Sequence, residues 1–160
     1  MTVQVDVQRA CTDATVPADD VFRHWVERAI ESAAAGRNAE VSIRVVDVDE
    51  MRELNRTYRD RDRPTNVLSF PAGPVAGLPA DEPTPLGDVV VCARVVADEA
   101  AEQDKPVADH WAHMLVHGTL HLLGFDHAVD EEAAAMEALE ARILAAEGVP
   151  DPYKAGAKNC

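Results

Sequence analysis

Aromatic residues are almost missing from this chain: three Phe, two Trp and two Tyr make up 4% of 160 residues. Val, Leu, Ile and Ala must therefore fill the core, and the 47% hydrophobic content is enough for that. A chain near this length buries roughly 70% of its unfolded surface, so it needs no disulfide or metal staple. Cysteine is scarce as well. Cys11, Cys92 and Cys160 are odd in number, far apart and without a C-x-x-C pair. That pattern excludes a disulfide framework or thiolate metal site and fits reduced thiols in a cytoplasmic protein. No apolar run approaches the ~20 residues of a bilayer span, so no membrane segment is expected. The stretch from Met1 to Asp6 has no basic segment leading into an apolar run, so no signal peptide is expected either.

Positive charge is the third shortage. Fifteen Lys and Arg face 29 Asp and Glu, giving a net charge of -14. Sequence-independent affinity for phosphates comes from Lys and Arg, so a general nucleic-acid binder is excluded but a local site is not. Five of the fifteen basic residues, Arg52, Arg56, Arg59, Arg61 and Arg63, stand together, with only Glu53, Asp60 and Asp62 among them. Two readings stay open here: a solvated helix end laced with ion pairs, or the place where an acidic ligand binds.

The patterning that is present predicts an α+β fold. Residues 2 to 8 alternate with Val3, Val5 and Val7 on one side, as in a half-buried strand. A helical pattern opening at Pro17 runs through Phe22, Trp25, Val26, Ala29 and Ile30 to Gly36. Val41 to Asp47 reads as a second strand, followed by a short helix capped by Asp49 that carries Met51, Leu54 and the first arginines. Asn66 to Phe70 reads as a third strand. Residues 71 to 85 hold five prolines and two glycines and read as a loop. Leu86 to Cys92 is a fourth strand and Ala93 to Gln103 a helix. Asp104 and Pro106 then start the helix that carries a cluster of histidines. The last helix opens in Asp130, Glu131 and Glu132, with Met136, Leu139, Ile143 and Ala146 as its buried stripe. Trp25, Trp111 and Cys92 fall where core residues belong. The expectation is one domain over residues 1–160, with a small mixed four-stranded sheet, about five helices and a zincin-like metal site.

The chemistry concentrates in His117-Gly-Thr-Leu-His121-Leu-Leu-Gly124-Phe-Asp-His127. Histidines four apart share a helix face, so His117 and His121 aim at one point. Gly124 can end the helix in a left-handed cap and return the chain so that His127 supplies a third nitrogen. Three imidazoles with an open fourth position describe a catalytic zinc site. His113 is a poor alternative: it lies about 12 Å along the axis from His121, too far to share one ion. His113 and Asp126 are instead candidates to orient a ligand, and Asp126 equally a turn cap. His24 and His110 read as surface or hydrogen-bonded residues. The spacing equals that of the metzincin proteases, H-E-x-x-H-x-x-G-x-x-H, but Gly118 stands where their glutamate base would be. Zinc brings the pKa of a bound water towards 7. Without the base, a phosphodiester suits the site better than a peptide, because an arginine can stabilise the anionic transition state through paired hydrogen bonds.

Four blocks occur in order: Leu54-Asn-Arg-Thr-Tyr58-Arg59, Pro64-Thr-Asn66-Val-Leu-Ser69-Phe70-Pro71, Leu86-Gly-Asp88 and the histidine block ending at His127. Together they resemble the YbeY family of bacterial metal-dependent endoribonucleases, over roughly Leu54 to Tyr153. The resemblance implies one zinc per chain on His117, His121 and His127, and Arg59 as the functional arginine, with Arg59 and Ser69 binding substrate. It also implies action on single-stranded RNA, maturation of the 3′ end of small-subunit ribosomal RNA, and ribosome quality control. The partners it implies are the small ribosomal subunit and ribosome-associated proteins. The residues leave open whether water or a 2′-hydroxyl attacks, and whether nickel or copper replaces zinc. The rivals are a zinc peptidase or other hydrolase, with Glu99 or Asp126 as its base, and a non-catalytic ribosome-associated factor with a structural metal.

Overall fold

The structure is a computed structural model that describes residues 2–73, 82–125 and 130–153. Its order is β1 (Val3–Arg9), α1 (Asp19–Ala33), β2 (Ala39–Val46), α2 (Val48–Arg59), β3 (Val67–Pro71), β4 (Thr84–Cys92), α3 (Ala93–Glu102), α4 (Val107–Leu122) and α5 (Asp130–Ala145). One sheet runs β1-β2-β4-β3. The first two pairings are parallel, and β3 lies antiparallel to β4 at the edge. The expected mixed four-stranded sheet with five helices is therefore present.

Strand alternation divides the apolar residues between two faces. Val41, Ile43, Val45, Val89 and Val91 pack with Phe22, Ile30, Trp111, Leu115 and Leu144 from α1, α4 and α5. Val46, Leu68, Val90 and Cys92 form a smaller cluster on the opposite face with Met51 of α2. Trp111 is fully buried and Trp25 nearly so. Burial also raises the Cys92 thiol above its ordinary pKa. With Cys11 it is a free cysteine. No helix among the described residues is long and apolar enough to cross a membrane.

Several boundaries differ from the sequence reading. The α2 cap is Asp47, whose side chain accepts from the Glu50 N–H at 2.9 Å, so Asp49 lies inside the first turn. Asp104 takes φ 53° after α3, and Pro106 holds the N-cap position of α4 with its backbone only. β3 extends to Pro71, which an edge strand tolerates because its missing N–H faces outward. β4 begins at Thr84, inside the expected loop. Pro85 pairs with Glu40 where the register shifts at a bulge, and a ladder donor is dispensable there. Residues 74–81 of that loop lie outside the described residues. In α5, Ala146 falls beyond the helix and is exposed, while Glu140 joins the buried stripe.

Candidate metal centre

α4 is the spine of the molecule, packed by α1, α3 and α5 and by the sheet, and only a narrow band of it reaches solvent. His117 and His121 lie in that band, one turn apart and half-buried. Their Nε2 atoms approach to 3.2 Å. The helix ends in a Schellman motif: Gly124 has φ 102° and donates to the His121 carbonyl, and Phe125 donates to the Leu120 carbonyl. The chain thus turns back at the glycine where the spacing requires it. His127 and Asp126 lie outside the described residues.

Behind His117 is a buried polar network that the apolar-stripe reading of α5 missed. Glu140 is 0% exposed. The His117 Nδ1–H donates to its Oε1 at 2.8 Å, the Tyr153 hydroxyl donates to its Oε2 at 2.8 Å, and His113 Nε2 lies 3.3 Å from Oε1. Burial pushes the Glu140 carboxyl up, but the hydrogen bonds from His113 and His117 outweigh it and hold the pKa at about 2. Burial keeps His113 below its ordinary value. It raises the Tyr153 hydroxyl, and the Glu140 charge adds to the rise. An ionised Glu140 accepts only, so it fixes the His117 proton on Nδ1 and leaves the Nε2 lone pair facing His121. The clue in the sequence was a glutamate at position 140 within the i, i+3, i+4, i+7 series Met136, Leu139, Glu140, Ile143.

His113, His117 and Glu140 offer ligand atoms within 4.8 Å of one another and so form a possible metal site. Its atoms are bonded to one another and to Tyr153 on the buried side of His117. The Nε2 atoms of His117 and His121 are at the other side, on a cleft.

That cleft has a volume of about 630 Å³ and is bounded by Arg59, Asn66, Ser69, His117, His121 and Phe125 among others. No carboxylate lines it among the described residues. Arg59, the last residue of α2, reaches over the edge strand. Its Nη1 donates to the Tyr58 carbonyl at 3.2 Å and its Nη2 to the Ser69 carbonyl at 3.1 Å. The guanidinium carbon stands 5.2 Å from the Phe70 ring centroid. The neighbouring arginines divide: Arg52 pairs with Asp62 and Arg56 with Glu53, whereas Arg59 has no carboxylate partner among the described residues. Ser69 also lines the cleft, but its hydroxyl donates to the Gly118 carbonyl at 2.9 Å and can only accept from a ligand.

Gly118 has a packing reason. A Cβ there would stand 2.8 Å from Val89 Cγ1 and 3.4 Å from Ser69 Oγ, so α4 sits too close to the sheet for a side chain. Glu99, the other candidate base, is held at 2.8 Å by His110 and at 3.0 Å by Asn66, and it does not line the cleft. His24 makes a surface pair with Glu147.

The model of the family described as Endoribonuclease YbeY matches residues 6–148. A protein of Halorhodospira halophila named Endoribonuclease YbeY is 60% identical over 141 residues, 88% of this chain and 90% of that one. One of Pseudomonas putida with the same name is 53% identical over 151 residues, 94% of this chain and 93% of its own. A solution structure from Thermotoga maritima has the same fold at a TM-score of 0.55 and 22% identity, covering 91% of both chains. A match over nearly the whole chain, on a fold that brings Arg59 to the paired histidines, leaves one assignment: the chain belongs to the Endoribonuclease YbeY family.

Proposed function

We propose that this protein is a zinc-dependent endoribonuclease that cleaves single-stranded RNA, with one zinc per chain held by His117, His121 and His127 and with Arg59 as the catalytic residue. One observation carries the reading: a guanidinium and two imidazole nitrogens border the same cleft, and among the described residues no carboxylate lines that cleft or pairs with the guanidinium. The donor set suits zinc. Two nitrogens bound tetrahedrally at ~2.0–2.1 Å stand roughly 3.3 Å apart, close to the 3.2 Å between these Nε2 atoms. Glu140 supports ligation by His117 because it takes the Nδ1 proton and orients the ring. The network of His113, Glu140 and Tyr153 is then the support behind a ligand, since its own hydrogen bonds already use the atoms it would offer to an ion.

Zinc in such a site supplies a nucleophile at neutral pH and polarises an oxygen of the substrate. The protein supplies the rest. Two of the five N–H donors of Arg59 bind the carbonyls of Tyr58 and Ser69, and three are left for the non-bridging oxygens of a phosphodiester. Ser69 aids substrate binding chiefly by placing that guanidinium, its hydroxyl serving as an acceptor. Of the two carboxylates a peptidase could use as base, Glu99 is held by His110 and Asn66 away from this cleft. The substrate is ribosomal RNA, notably the 3′ end of the small-subunit RNA, in the cytoplasm. Family membership and the free cysteines support that setting.

The test is metal analysis combined with cleavage of a ribosomal RNA fragment that ends in a single strand. Wild type should carry about one zinc and cut, His117→Ala should lose both properties, and Arg59→Ala should keep zinc and lose most cleavage. Equal cleavage by Arg59→Ala would overturn the assignment. A 2′,3′-cyclic phosphate on the product would identify the ribose hydroxyl as the nucleophile.

A further inference from the structure

Tyr58 is 59% exposed, the one large hydrophobic side chain so exposed among the described residues. It is anchored rather than dangling: its ring meets Phe70 edge-on at 5.3 Å between centroids and 71° between planes. Phe70 in turn carries the Arg59 guanidinium at 5.2 Å. Alternation along β3 sends Ser69 towards the histidine cleft and Phe70 to the opposite face of the sheet. On that face Tyr58 and Phe70 line a second cavity of about 470 Å³, with Leu54 and Val90 among its apolar residues and Ser42, Asp88, Gln8 and the Arg44–Glu50 ion pair as its polar ones. Arg59 lines the first cavity and Tyr58 the second, and the two are consecutive residues at the end of α2.

We infer that Tyr58 and Phe70 form a subsite that stacks a nucleobase of single-stranded RNA adjacent to the phosphate held at Arg59. This rests on the reading of the Arg59 cleft as an RNA site and adds where the neighbouring nucleotide goes. Three features of the site select a nucleobase over another occupant. An exposed aromatic ring, here Tyr58 braced by Phe70, beside a cationic backbone contact is how proteins hold single strands, because every base has a π-face. The cavity joins apolar side chains to hydrogen-bonding ones, a hydroxyl, an amide, two carboxylates and a guanidinium, which suit the edge of a base and not a lipid chain. Arg61 and Arg63 are exposed and have no ion pair among the described residues, so positive charge continues along the chain after Arg59 in an otherwise acidic molecule. The subsite is sequence-tolerant in its stacking and selective only at its polar side chains. It favours an unpaired strand, since a base in a duplex cannot leave its stack without cost.

The experiment is binding of a 2′-O-methyl single-stranded octanucleotide, which removes the ribose hydroxyl as a nucleophile, to the zinc-loaded full chain, followed by fluorescence anisotropy. Tyr58→Ala should weaken binding by about tenfold to a hundredfold. Tyr58→Phe and Tyr58→Trp should retain it, and zinc content should be unchanged throughout. An abasic residue at one position of the octamer should weaken wild type as much as Tyr58→Ala does, and should cost that variant nothing more. Undiminished binding by Tyr58→Ala would overturn the platform while leaving the Arg59 cleft intact. Equal loss in the phenylalanine variant would assign the effect to the hydroxyl and overturn stacking. Failure of wild type to bind the octamer would overturn both readings, which separates the two failures.

Discussion

His117 and Glu140 meet at 2.8 Å across the packing of α4 on α5, with the carboxylate fully buried and the imidazole half-open to the cleft. One side chain thereby decides which nitrogen of the other faces outward. Glu140→Gln keeps the shape but offers one acceptor in place of two. Zinc affinity should fall about 10- to 100-fold, as is usual when the partner of a metal-binding histidine is lost. Chelator competition measures it, and wild-type affinity in this variant would remove Glu140 from the account.

Tyr153 closes the same network from beyond α5, so its hydroxyl links the chain after the last helix to the carboxylate behind His117. In Tyr153→Phe, Glu140 loses one donor in a buried setting, which should cost about 1–3 kcal/mol of stability. Urea unfolding reads this directly. A variant as stable as wild type would mean that the hydroxyl bond is not formed in solution.

The helix position between the histidines is constrained from the sheet. Alanine is normally favoured over glycine inside a helix by ~1 kcal/mol. At position 118 its Cβ would lie 2.8 Å from Val89 Cγ1. Gly118→Ala should therefore destabilise, by about 1–3 kcal/mol for an overpacked core. Combining it with Val89→Ala should recover part of the loss. Additive effects in that double-mutant cycle would show that the two positions do not collide.

Arg59 is held over Phe70 by two carbonyls, so its donors are aimed before substrate arrives. Replacing it with alanine should lower cleavage by roughly 10²- to 10³-fold, the range for losing one preorganised donor set. Arg59→Lys retains the charge but not the planar fork and should recover little of the rate. Full recovery by lysine would reduce the role to net charge.

Glu99 gives a pH dependence. Burial pushes its carboxyl up, but hydrogen bonds from His110 and Asn66 bring it below the ordinary carboxylate range. Its contribution to stability is complete above that ordinary range. It is lost as pH falls towards the folded value, because there the unfolded chain binds a proton that the folded chain does not. In Glu99→Gln the acid limb of the stability profile should be shallower, as followed by thermal unfolding from pH 7 downward. An unchanged slope would argue against this carboxylate being ionised in the fold.

Local periodicity made the strands, the five helices and the histidine face legible, because these depend on residues near one another in the chain. The left-handed cap at Gly124 was legible for the same reason. The cap of α2 was misplaced by two residues, since Asp47 and Asp49 are both acceptable caps and only the path of β2 chooses between them. Pro85 was read as loop because the bulge that makes room for it, at Leu86 next to it, exists only through the pairing of β4 with β2. Glu140 was overlooked because a buried carboxylate is costly unless partners are present, and those partners come from α4 and from residue 153. Ser69 entered only through the family resemblance, and the carbonyl on α4 that takes its proton was not legible.

The closeness of Val89 to position 118 has a consequence for descent. At position 118, between these histidines, a carboxylate meets the sheet first, because the first atom of any new side chain there would stand 2.8 Å from Val89 Cγ1. The wall has to be thinned first, at Val89 or nearby, and that step brings no chemical gain to select it. Steric order therefore works against a base at position 118, independently of how useful another reaction would be.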